Sequence, residues 1–92
     1  MEQRREYRFK PNQSAVVKVL GLSPGPLLPA CILDISASGM RLRSKLPIPC
    51  GAPVSIEVNH LVATGSVFRC VPKEDFYELG IHVSETGPAL KT

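Results

Sequence analysis

Proline or glycine interrupts this chain so often that no stretch free of both exceeds 11 residues. Proline removes a helical hydrogen bond and clashes with the preceding turn, and glycine costs about 1 kcal/mol in a helix interior. A fold built on long helices is therefore excluded, and the chain must be assembled from short elements joined by turns. The residues between the breaks are largely β-branched and apolar, which favours strands. Six runs read this way: "SAVVKVL" (14–20), "ACILDIS" (30–36), "GMRLRSK" (39–45), "PVSIEVN" (53–59), "LVATGSVFRCV" (61–71) and "FYELGIHV" (76–83). Between them, "GLSPGPLLP" (21–29) and "LPIPCGAP" (46–53) carry turn chemistry. Alternation with period 2 sets Val54, Ile56 and Val58 on one face of their strand and Ser55, Glu57 and Asn59 on the other. Leu79, Ile81 and Val83 share a face in the same way. The 61–71 run has no assignable inward face, and Gly65 marks a candidate bulge within it. Six short strands with intervening turns predict an all-β antiparallel barrel or sandwich. Residues 1–10 form a polar arm outside it, residues 11–85 the β-structure, and residues 86–92 a short tail.

Ninety-two residues make one domain with room for a real but modest core. No apolar run approaches the roughly 20 residues of a membrane span, and "MEQRREYRF" is too polar for a signal peptide. The expected location is therefore the cytoplasm, without membrane insertion. Cys31, Cys50 and Cys70 are odd in number and scattered, which favours reduced thiols over disulfides or a zinc site. The net charge of +3 is unevenly spread. Residues 1–46 hold eight basic and three acidic side chains, and residues 47–92 hold three and five. An anionic partner is thus expected at the N-terminal half.

Nothing in the chain reads as a catalytic constellation. His60 and His82 lie far apart, and His82 alternates with Ile81 and Val83 as an outward strand residue does. Phosphate-loop, metalloprotease and nucleophile-elbow motifs are missing. Glu74 and Asp75 in "PKEDF" read as a solvated hairpin turn. No enzyme and no cofactor are expected.

Two short patterns carry more chemistry. "RREYR" spaces Arg4 and Arg8 as R-x-x-x-R with Arg5 inside, and guanidinium forks match phosphate oxygens and the O6/N7 edge of guanine. By itself this is weak, at roughly 0.4 chance matches in such a composition, so a solvated charged arm remains an alternative. "DISASG" is D-x-S-x-x-G, with only roughly 0.025 chance matches, and is the more informative. A carboxylate at Asp34 accepts from the N1 and N2 donors of guanine, and Ser36 serves phosphate or base. Gly39 allows a positive φ or close approach to the backbone. In a regular strand Cys31, Leu33 and Ile35 face the core while Asp34 and Ser36 face outward. An ordinary strand end closing in a turn is the competing explanation. Arg41 and Arg43 share a face that either extends the anion site or is simply solvated.

Both motifs, in this order within a small β protein, resemble the PilZ domain family, and the resemblance runs from Arg4 to about Ser84. The resemblance implies a six-stranded antiparallel barrel that binds the bacterial second messenger cyclic di-GMP through Arg4, Arg5, Arg8, Asp34, Ser36 and Gly39. "ELGIHV" is similar to the family's last strand, although an aromatic often stands where Val83 is. Many members carry a C-terminal helix, for which "SETGPALKT" leaves almost no room. Some lack the arginine motif and do not bind the nucleotide, whereas this chain carries both motifs. The implied role is a non-catalytic sensor acting on a downstream protein or a fused effector domain. The rival readings are a barrel that binds single-stranded nucleic acid and an adaptor that ignores the ligand. Aromatics for stacking on bases are few, and none pairs with the basic residues on one strand face, which counts against a nucleic acid.

Overall fold

A computed structural model describes residues 13–21 and 25–89. The six strands are β1 (Gln13–Val19), β2 (Leu27–Ile35), β3 (Gly39–Ser44), β4 (Pro53–Val58), β5 (Leu61–Pro72) and β6 (Tyr77–Pro88). They close into a barrel in the order β1-β2-β3-β6-β5-β4, with every neighbouring pair antiparallel. Of the two expected architectures, the barrel is the one formed.

Inward-facing apolar residues from all six strands fill the interior. Val17, Ile32, Leu42, Val54, Ile56, Val67, Leu79 and Ile81 are almost completely buried, each such side chain contributing roughly 1.5–3 kcal/mol by leaving water. At one end of the barrel Ile48, from the loop joining β3 to β4, is buried in the same core. The opposite end, where β4 turns into β5, opens as an apolar recess of about 490 Å³ lined by Ile35, Met40, Val58, Leu61 and Val83 among others.

The expected faces of β4 and β6 are those observed: Val54, Ile56 and Val58 point inward, as do Leu79 and Ile81, with Val83 partly buried against the core. Two boundaries differ by more than one residue. β2 begins at Leu27, so Leu27, Leu28 and Pro29 extend the β1 ladder instead of closing a loop. β6 continues to Pro88 because Thr86, Gly87 and Pro88 pair with Ala63, Val62 and Leu61, three residues into the expected tail. The β2 face also differs. Ala30 and Ile32 are the buried residues, not Cys31 and Leu33. The register slips between Ile32 and Asp34, leaving Leu33 as an extra residue that no β3 residue opposes. Such a bulge shifts the phase of the strand by one. Ile35 then packs against the core, and Asp34 and Ser36 face outward.

Candidate functional site

Asp34, Ser36 and Gly39 come together where β2 turns into β3. The Ser36 amide donates to the Gly39 carbonyl at 2.8 Å, and the Ser36 hydroxyl donates to the same oxygen at 3.3 Å. The Val83 amide donates to the Ser38 carbonyl at 2.9 Å, tying the turn to β6. Gly39 does not use the left-handed conformation. Its need for glycine is spatial, because a Cβ there would meet the Ile81 carbonyl oxygen at 3.0 Å. The turn therefore lies close against the barrel wall and presents Asp34 and Ser36 to solvent.

Arg41 pairs across the β2–β3 ladder with Asp34 and across the β3–β6 ladder with Gly80. Its guanidinium donates to the Glu78 carboxylate at 2.8 Å and more loosely to Asp34 at 3.5 Å, and Lys73 approaches Glu78 at 3.7 Å. The hydrogen bond from Arg41 holds the Glu78 carboxyl below its usual pKa, and Glu78 in turn raises that of Arg41. Exposed pairs of this kind are weak and exchange readily with other anions. Asp34 therefore keeps most of its acceptor capacity for an incoming donor.

Two aromatics that sequence reasoning did not connect with the arginines lie beside them. Phe68, on β5, lines a shallow pocket of about 170 Å³ with Asp34, Ser36, Gly39, Arg41 and Ile81. Phe76, in the β5–β6 turn, lies under Arg43, whose guanidinium carbon is 5.4 Å from the ring centroid. That distance permits a cation–π contact. Arg43 and Phe76 border a second hollow of about 410 Å³ with Cys31, Lys45 and Asp75. The outer surface where β2 meets β3 thus forms a strip running from Ser36 through Asp34 and Arg41 to Arg43. Its sequence signals were the D-x-S-x-x-G motif for Asp34 and Ser36 and the alternation of Arg41 and Arg43; the aromatics gave none, since both arrive from a distant hairpin.

Arg4, Arg5 and Arg8 lie outside the described residues. His82 is exposed, as expected for an outward strand residue, and Glu74 and Asp75 occupy an exposed turn. The three cysteines are free thiols, with Cys50 exposed and Cys31 and Cys70 half-buried. Among the described residues no helix is long and apolar enough to cross a membrane.

The closed six-stranded barrel, with a polar turn and flanking arginines on its outer wall, is that of a small binding domain. The chain matches the PilZ domain over residues 2–91, nearly its whole length, and it belongs to that family. PilZ domains are receptors for cyclic di-GMP and are generally non-catalytic binding modules. No curated protein and no solved structure matches the chain.

Proposed function

We propose that this domain senses cyclic di-GMP without catalysis and relays its presence by ordering the N-terminal arm. The observation that carries this reading is the joint exposure of Asp34 and Ser36 on the outer wall, beside Gly39 and Arg41. Asp34 accepts from the N1 and N2 donors of one guanine, and Ser36 contacts base or phosphate. Arg4, Arg5 and Arg8 supply the charge that neutralises the two phosphates. Arg41 and Arg43 extend the same anionic footprint along β3.

Like-charge repulsion among the three arm arginines favours an open arm until the ligand neutralises them. Ordering the arm costs conformational entropy, which lowers affinity below what its contacts imply. The ordered segment then offers a new surface to a downstream protein or to a fused effector domain. Calorimetric titration with cyclic di-GMP, beside GTP, a linear diguanylate and a single-stranded oligonucleotide, tests the reading. Heat only with the cyclic dinucleotide is the expected result. Amide exchange then tests the relay: residues 1–10 should gain protection on binding, and Arg8→Ala should abolish tight binding while leaving the barrel's stability nearly unchanged.

A further inference from the structure

Of its two acidic neighbours, Arg41 bonds more tightly to the one that the sheet register places farther away. Directly opposite Arg41 stand Asp34 on β2 and Gly80 on β6, whereas Glu78 is diagonal to it and faces Arg43. Opposed residues in an antiparallel pair stand about 4.5–5.5 Å apart at Cβ, and diagonal ones about 7–8 Å. Asp34 is thus the default partner, yet the bond to Glu78 is 2.8 Å and that to Asp34 is 3.5 Å. Three features account for the preference. Gly80 offers Arg41 no side-chain partner. The Glu78 side chain is 19% exposed against 61% for Asp34, so water screens its charge less. Lys73, from the β5–β6 turn, approaches Glu78 Oε1 at 3.7 Å and leaves Oε2 to Arg41. The lowered pKa of Glu78 has the same hydrogen bond from Arg41 as its main cause.

We propose that Glu78 is a positioning residue for nucleotide recognition: by holding Arg41 to itself, it keeps the Asp34 carboxylate open to the edge of guanine. Glu78 touches no ligand in this role and acts only through Arg41. Without its charge, Arg41 closes onto Asp34, the residue directly opposite it. The N1 and N2 donors of guanine must then displace a guanidinium fork, which a carboxylate binds well. This assignment rests on the cyclic di-GMP reading above and puts a determinant of affinity on β6, outside both sequence motifs. The sign of the effect separates the role from a plain charge effect. Cyclic di-GMP carries two phosphates, so removing a nearby negative charge favours its binding by simple Coulomb attraction. Release of Arg41 onto Asp34 does the opposite.

Glu78→Gln keeps the shape of the side chain and removes its charge. Calorimetry with cyclic di-GMP is run at physiological ionic strength, where the Debye length is about 8 Å and distant charges are screened. Glu78→Gln should weaken binding about 1.5- to 5-fold, the range of one exposed ion pair. In an Arg41→Gln background the same substitution should bring no loss, because no guanidinium is left to release. A crystal structure of ligand-free Glu78→Gln should show the Arg41–Asp34 contact shortened from 3.5 Å to about 2.8 Å, as in a full charge-assisted bond. Dispersed amide spectra establish that each variant is folded. If the wild type binds and Glu78→Gln binds as well or better, the positioning role is wrong and the parent reading stands. An equal loss with and without Arg41 overturns the role too, as does an Arg41 that stays away from Asp34 in the variant. A wild type that takes up no cyclic di-GMP overturns the parent reading and the role with it.

Discussion

β2 and β4 both pair with β1, one on each side, and they behave differently. β4 alternates without a break: Val54, Ile56 and Val58 are buried, and it meets both neighbours without a slip in register. β2 follows the same rule as far as Ile32 and then admits Leu33 as an extra residue. The regular strand turns its apolar side chains to the core and Ser55 and Glu57 outward. The irregular one turns a carboxylate that simple alternation from Ile32 would bury toward solvent. The same device recurs on β5 at Phe68, on the far wall of the same pocket. Irregular strands here are where the barrel spends its freedom to aim side chains.

The sharpest way to break this contrast is to delete one residue from each strand. Loss of Ser55 moves either Val54 or the pair Ile56 and Val58 onto the outer face, and the barrel should fail to fold. Loss of Leu33 removes only the extra residue, leaving Ile32 and Ile35 inward and Asp34 outward, so the barrel should survive. Amide spectral dispersion distinguishes the outcomes, and a folded Ser55 deletion would end the comparison. Next in size, Ile56→Ala, at a side chain 1% exposed, should cost about 2–5 kcal/mol of stability in urea titrations. Affinity measured on the folded fraction should not change. Asp34→Ala should do the reverse, weakening guanine recognition by about 1–3 kcal/mol in calorimetry, as single base contacts do elsewhere, with the urea midpoint unmoved.

The smallest effect concerns Glu78. Its carboxyl titrates below the usual value because Arg41 hydrogen-bonds the charged form. That stabilisation is fully present above the ordinary carboxylate pKa and disappears as pH falls through the depressed folded value. Wild type and Glu78→Gln should therefore differ in urea midpoint near neutral pH and converge in strong acid. A constant difference would mean that Glu78 acts through packing and not through its charge.

Most of the barrel was legible because breakers and alternation are local signals. β4, the Leu79–Ile81–Val83 face and the turn at Glu74–Asp75 follow from spacing alone. The inward face of β2 was not legible. The Leu33 bulge is defined against the register of β3, which no single strand's sequence contains. β5 resisted for the same reason, since its ladder with β6 slips twice, once at Thr64–Gly65 and once at Val67–Arg69. At the first slip the extra residue is Ser84 on β6, not Gly65, since Thr64 opposes Glu85 and Gly65 opposes Val83; Gly65 is needed because a Cβ there would collide with the His82 carbonyl oxygen. Asp34, Ser36 and Gly39 stood out because they share one short motif. Phe68 did not, because its nearness to Arg41 arises only when β6 places Gly80 between them.

Closure of the ring has a consequence for how anything can attach to this domain. Every strand has a neighbour on each side over part of its length, and among the described residues overhanging ends such as Thr86–Pro88 of β6 and Arg69–Pro72 of β5 pair with a strand on one side only. Strand addition by a peptide, a second copy or a linker segment, a common and undiscriminating way for β proteins to associate, is therefore confined to such overhangs. Along the rest of the wall, whatever docks must read side chains: the carboxylate, guanidinium and aromatic groups on the outer surface, or the apolar rim at the open end. Closure over most of the wall thereby limits edge-to-edge aggregation of a small, basic, β-rich chain, and it leaves recognition there to the few outward residues that the two bulges set in place.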